Sequence, residues 1–257
     1  MRTRLSFERN SGGCLKTNKV RQLIAIYFVS TIQASLTVKA LLSVLVLVIL
    51  MGAIIFVAAG TINYWQAWIY LTLFTIASLL TTIYLIRNDP ELLQRRMRGG
   101  PTAEKRPLQR VIMLFTSLAF LGLLIVPALD HRFGWSEVPI YVVIGGDLLV
   151  AIGFYFIFHV YKENSYTSAT IEVAADQKVI DSGPYALVRH PMYASALLYL
   201  LGTPLALGSY WGLVPFVAVV PFLIWRLFDE EKMLRRELEG YNQYRQRVRY
   251  RLVPGVW

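Results

Sequence analysis

Cysteine is nearly missing from this sequence: Cys14 stands alone among 257 residues, so no disulfide framework is possible. Histidine is almost as scarce, and His131, His159 and His190 lie too far apart to build, with one thiol, a structural zinc site. Charge is thin as well, at 16% of residues against about 25% in a soluble globule. No internal repeat, coiled-coil heptad or low-complexity tract stands out. What fills the chain is apolar: 56% of residues are hydrophobic, with 13 Phe, 6 Trp and 15 Tyr, and the mean hydropathy is +0.48. Such a chain buries itself too readily to be disordered. Its composition is that of a membrane protein.

A helix needs about 20 apolar residues to cross the hydrocarbon layer. Residues 40–86 contain no charge at all, which is room for two spans parted by Gly60-Thr61-Ile62-Asn63-Tyr64-Trp65-Gln66. A third span is expected over 111–129 and a fourth over 140–161. The block 192–228, interrupted by Gly208-Ser209-Tyr210-Trp211-Gly212 and carrying Arg226, reads as a tight hairpin of two short helices. The expectation is an all-α integral membrane protein with five to six transmembrane helices, divided into a basic segment (1–39), a four-helix region (40–161) and a polar-rich remainder (162–257).

Lys and Arg number seven in 1–39, seven in 87–110, three in 162–191 and eight in 226–257, with Arg132 alone in 130–139. Basic residues favour the cytoplasmic side. A six-helix layout therefore puts both termini in the cytoplasm, in a bacterial inner membrane or an endoplasmic reticulum membrane. Residues 1–39 are expected to carry no cleavable leader, and the uncharged, polar-spotted stretch 22–38 reads as an interfacial helix beneath anionic lipid. Because the basic clusters flank membrane helices, the expected partner is membrane lipid and not nucleic acid.

Residues 162–191 form a long non-apolar connection, and such loops are more often functional than passive. It ends in Gly183-Pro184-Tyr185-Ala186-Leu187-Val188-Arg189-His190-Pro191-Met192-Tyr193. Gly-Pro makes a turn. Pro191 holds His190 extended and suits the first position of a helix, whose start offers free N–H groups to an anion. A second group, Trp225-Arg226-Leu227-Phe228-Asp229-Glu230-Glu231, lies where the last membrane helix emerges, with Arg226 and Glu230 on one helix face. Arg226 is suited to a carboxylate or phosphate, or else it snorkels beside a solvated acidic cap. Tyr241 and Tyr244 then alternate with Arg245, Arg247, Arg249 and Arg251, which alone reads as a basic tail on the lipid surface. Asp147 is the one carboxylate deep in an expected span, where a packing role is as well supported as a functional one. His159 reads as structural.

In order and spacing, Gly183-Pro184-Tyr185, His190-Pro191-Met192-Tyr193, the helical hairpin, Arg226-x-x-x-Glu230-Glu231 and Tyr241-x-x-Tyr244 resemble the isoprenylcysteine carboxyl methyltransferase family, relatives of the membrane phospholipid methyltransferases. The resemblance covers about residues 164–254. It implies methyl transfer from S-adenosylmethionine at the cytoplasmic membrane face, with 162–257 as the cofactor-binding and catalytic region. Carried over by position, Tyr185, His190, Pro191, Met192 and Tyr193 would line the cofactor site. Gln177, Lys178, Val179 and Ile180 would give it mainly main-chain contacts, and Glu230 would also face it. Arg226 would hold the acceptor's carboxylate, so that Arg226 and Glu230 are the implied catalytic pair. Thr170 occupies a position where relatives carry a longer polar side chain. Gly240 is displaced relative to the Phe-Gly-x-x-Tyr of relatives, which changes how the C-terminal helix closes. No metal is implied.

The chemistry is compatible with those roles. Glu230 suits the cofactor's ammonium, His190 and the helix start its carboxylate, and tyrosine rings its purine or sulfonium. A carboxylate acceptor is already ionised near neutral pH, so the site has to position and not deprotonate it. The acceptor itself is left open: an isoprenylcysteine, another lipophilic acid or thiol, or a phospholipid amine. Membrane sterol reductases, which use NADPH, share a similar Arg-His-Pro-x-Tyr segment, but their paired acids do not follow so closely. A transporter or scaffold would place polar residues at the midplane, where only Asp147 lies.

Overall fold

The computed structural model describes residues 11–100, 102–104, 106–173 and 176–257, with the side chains of 11–32 left out. Cys14, Gln22 and most of the interfacial stretch expected at 22–38 thus lie outside the described residues as far as side chains go. The described chain is helical and contains no strand. Helix α1 (Ser11–Ala59) runs unbroken through the region expected to divide before residue 40, and α2 (Trp65–Asn88) follows the polar break. A short α3 (Pro90–Met97) stands within the basic segment 87–110, where no helix was expected. Its start is written locally: Pro90 takes the first helical position and the Asp89 side chain accepts the Leu92 N–H at 2.9 Å. Helices α4 (Pro107–Phe133) and α5 (Ile140–Glu163) overrun both expected spans. A single 3₁₀ turn (Gly183–Ala186) precedes α6 (Pro191–Ala206), α7 (Leu213–Glu237) and α8 (Tyr241–Arg247).

Among the described residues, four stretches are long and apolar enough to cross a membrane: Gln33–Ala59, Trp65–Asn88, Pro107–Phe133 and Ile140–Glu163. Helix α6, at 16 residues, falls short of that length, and α7 turns strongly charged from Arg226 onward. Leu45, Leu50, Val57, Leu80, Leu118 and Leu148 are exposed on the outer faces of the spans. An apolar surface of this extent is tolerable only against lipid, with the backbone polar groups satisfied inside the helices. Around Met51, Ile55, Tyr64, Tyr70, Leu123, Leu124, Val150 and Leu207 the helices share one core.

Lipid tails are as apolar as leucine, so helices in a bilayer associate through close packing and not through exclusion of water. The seam between α5 and α6 is built on that rule. A Cβ added at Gly202 would sit 2.7 Å from the Gly146 carbonyl oxygen, one at Gly153 would sit 2.8 Å from Tyr199 Cβ, and one at Gly146 would run into the Ala206 backbone. This seam matters for the site, because α6 begins and α5 ends at the same end of the bundle. At the other end, the buried Asp130 carboxylate accepts the Ser136 N–H at 2.8 Å and the hydroxyls of Ser136 and Ser209, fastening the 207–212 connection to the end of α4. Replacing Gly202 with valine should lower the thermal midpoint of the detergent-solubilised protein by about 5 °C or more. Gly145→Ala, whose added Cβ meets nothing within 4 Å, should leave it within about 2 °C.

Candidate functional site

Where α7 leaves the apolar core its sequence turns to Arg226, Asp229, Glu230 and Glu231, and consecutive residues on a helix point in different directions. Glu231 points into the protein and is 1% exposed. Its carboxylate meets Arg189 Nε at 3.1 Å, His190 Nε2 at 3.3 Å, Arg235 Nη2 at 3.0 Å and Arg251 Nε at 3.2 Å. Burial alone would raise this carboxyl's pKa, but the His190 contact and the two arginines Arg189 and Arg251 outweigh it and bring the value down to about 2. Two backbone bonds run alongside: the Arg189 and His190 N–H groups donate to the carbonyls of Tyr250 and Arg251, both at 2.9 Å. One carboxylate thereby ties together α7, the entry to α6 and the chain after α8. The displaced Gly240 takes a left-handed turn (φ +82°) that lets α8 fold back from α7.

Glu230, one residue earlier, looks into a cavity of about 450 Å³, within the usual range for small-ligand sites. The Tyr193 hydroxyl donates to Glu230 Oε2 at 2.6 Å. Every candidate residue lines this one cavity: Gln177, Lys178, Val179 and Ile180 on one wall, Tyr185, His190, Pro191, Met192 and Tyr193 on the next, and Arg226 and Glu230 from α7. Thr170, Tyr241 and Tyr244 line it too, whereas Asp147 and His159 do not. Tyr185 accepts the Asn164 amide N–H at 2.9 Å, and burial, only partly opposed by that bond, pushes its hydroxyl up to about 12. Tyr244 closes the circle by donating to the Tyr185 carbonyl at 2.8 Å. The His190 ring is directed to Glu231, so the cavity meets that residue beside a ring already engaged.

Arg226 is buried, and its partners come from parts of the chain that carried no motif. Nη1 donates to Gln109 Oε1 at 2.9 Å and lies 2.8 Å from Glu104 Oε1, while Nη2 donates to the Ala169 carbonyl at 3.0 Å. Gln109, fully buried in α4, reaches Asp229 as well, which also receives Arg106 at 2.7 Å. Arg96 donates to the Ser168 carbonyl at 3.0 Å. The connection from α3 to α4 thus braces Arg226 from behind, with Arg96 and Gly100 reaching the cavity lining. Asn164, Glu104, Gln109 and the anchoring role of Glu231 were not read from the sequence. The available signal was a polar Gln109 just inside an apolar helix, and a lone Glu104 amid basic residues.

A partly aromatic cavity lined by the carboxylates of Glu230 and Glu172 and by the buried Arg189 and Arg226 suits a zwitterionic ligand. Residues 141–239 match the phospholipid methyltransferase family. Over 75 residues the chain is 35% identical to the protein-S-isoprenylcysteine O-methyltransferase of Schizosaccharomyces pombe. Over 92 residues it is 33% identical to a Delta(14)-sterol reductase of Mus musculus. These alignments take in 28% and 34% of this chain, and 32% and 22% of the relatives' lengths, so the chain matches less than a third of each. The family match and the methyltransferase relative bear out the resemblance read from the sequence.

Because the Glu231 carboxyl is held at about 2, against an ordinary value of 4.5, its ion pairs stabilise the fold fully above about pH 4.5 and are lost as the pH falls toward 2. The thermal midpoint in detergent should therefore drop between pH 5 and pH 3. Glu231→Gln should start lower at pH 7 and lose distinctly less over the same interval. An equal acid loss in both proteins would show that other carboxyls carry the effect.

Proposed function

We propose that this chain is an S-adenosylmethionine-dependent membrane methyltransferase that O-methylates the carboxylate of a lipophilic acceptor, such as an isoprenylcysteine. The observation that carries the reading is the gathering of Glu230, the 177–180 wall, Tyr185 and Arg226 around one cavity at the end of a membrane bundle. The family match supports a methyltransferase, and the donor set fits the cofactor: a carboxylate for its ammonium, tyrosine faces for its cationic or aromatic parts, and a helix start for its carboxylate. When bound, S-adenosylmethionine supplies a methyl group on a sulfonium, ready for transfer to a nucleophile.

The chain's own residues then act by placement. Glu230 holds the ammonium, and the Tyr193 hydroxyl fixes the rotamer of Glu230. Arg226, kept straight by Gln109 and the Ala169 carbonyl, orients the acceptor's carboxylate toward the methyl. No strong base is needed, because an acceptor carboxylate is already ionised; alignment supplies the rate. Beside the polar cavity lies an apolar groove of about 470 Å³ between α1, α4 and α6, open to the outer face along Leu47 and Leu50 and backed by Met51, Phe120 and Leu200. Thr116 borders both. This neighbour supports an acceptor whose tail stays among apolar side chains while its head reaches the methyl. The distribution of basic residues supports a site at the cytoplasmic face, with both termini on that side.

A second reading, N-methylation of a phospholipid amine, draws on the contact between Arg226 and Glu104. An arginine already facing a carboxylate is less available to an acceptor's acid. Purified protein incubated with methyl-labelled S-adenosylmethionine and total lipid extract separates the two. A methyl ester releases its label as volatile methanol in alkali, whereas an N-methyl group keeps it. The carboxylate reading expects base-labile label and a loss of about a hundredfold or more in kcat/KM for Arg226→Ala. Base-stable label overturns the carboxylate reading in favour of an N- or S-methylated acceptor, and no label at all would overturn methyl transfer.

A further inference from the structure

Among the described residues, the cavity wall holds one buried hydroxyl with neither a hydrogen bond nor an ion pair. Tyr241 is 4% exposed, and among the described residues its hydroxyl makes no hydrogen bond. Burying a hydroxyl unpaired is costly, and folded proteins rarely do it without a reason. Its neighbours are all satisfied: Tyr244 donates to the Tyr185 carbonyl, Tyr185 accepts from Asn164, and Tyr193 donates to Glu230. Tyr241 is the exception in a ring of paired phenols.

Its surroundings say what kind of group would complete it. The ring packs with Tyr244 in a cluster with Leu238 and Val248, against which Val173, Val179 and Leu234 lie, so it belongs to the apolar wall that includes one residue of the 177–180 stretch. Burial first, and then the charges of Glu231 and Glu230 against that of Arg189, push its hydroxyl well above the ordinary tyrosine value. It is therefore neutral, able both to donate and to accept. Tyr241 thus lies where an apolar wall suited to a purine meets the acidic patch suited to an ammonium. In a nucleoside cofactor the part between base and amino acid is the sugar, whose hydroxyls also both donate and accept.

We propose that the Tyr241 hydroxyl is a cofactor-binding group that hydrogen-bonds a ribose hydroxyl of the bound nucleoside. This rests on the methyltransferase reading above and adds a contact from α8, outside the matched region 141–239.

The test is Tyr241→Phe, which keeps the ring and removes only the unpaired oxygen. Isothermal titration of the full-length protein in detergent would use S-adenosylhomocysteine and 5′-methylthioadenosine, which share base and sugar while only the first carries the amino acid. Both should bind about fivefold more weakly to the variant. The ligand-free variant should melt at the same temperature as the parent or higher, since it no longer buries an unpaired group. Unchanged affinity would overturn the proposal. So would a loss confined to S-adenosylhomocysteine, which would move the contact to the amino-acid end, or a lowered ligand-free melting point, which would make the hydroxyl structural. If the parent protein binds neither probe, the methyltransferase reading itself fails, an outcome distinct from parent and variant binding equally.

Discussion

The site depends on one buried carboxylate. Glu231 cannot be left charged in a low-dielectric interior without partners, and it finds four, from the entry of α6, from its own helix and from the chain beyond α8. These segments are distant in sequence, and hydrophobic burial does not select their relative placement, since much of the surrounding bundle is faced by lipid. The ion cluster does. By turning Glu231 inward, α7 turns Glu230 aside into the cavity, so the two adjacent acids take different duties: one holds the walls together, and the other faces whatever enters.

A second constraint acts from the membrane. With lipid as solvent, helices are held by close approach, and Gly146, Gly153 and Gly202 bring α5 and α6 together along their length. Asn164, just past the end of α5, and His190 and Pro191, at the start of α6, are thereby set near one another. The brace behind Arg226 comes from a region with no counterpart in the matched segment. Arg96, Glu104 and Gln109 grip the 164–172 stretch and Arg226 from the α3–α4 side. Relatives that share residues 141–239 need not share that brace, which borders the position proposed for the acceptor.

Hydropathy made most of the helical plan legible. The polar break after residue 59, the helix over 111–129 and the helix from residue 140 are all present, with ends that run further. Helix α4 reaches Pro107 and Phe133 because Gln109 and Asp130, which hydropathy counts against a span, are each satisfied by local or tertiary bonds. Helix α3 was lost among basic residues, although Asp89-Pro90 is a start signal that could have been read. The candidate residues line a single cavity because the Gly-Pro turn and Pro191 fix 183–193 locally and helix spacing fixes Arg226 and Glu230. What stayed hidden were pairings across the fold, Arg226 with Glu104 and Gln109, and Glu231 with Arg189 and Arg251. They join residues whose separation leaves no periodic trace.

The central claim is that the cavity between residues 177–193 and α7 is the cofactor site. Amide hydrogen exchange on the intact protein, with and without saturating S-adenosylhomocysteine, tests it most directly, because it reports where a ligand acts without needing the acceptor. Slowed exchange concentrated in 177–193 and in 226–244, with the α5–α6 seam unchanged, is the predicted result. Protection confined to other segments, or none at a ligand concentration that saturates binding, would contradict the account.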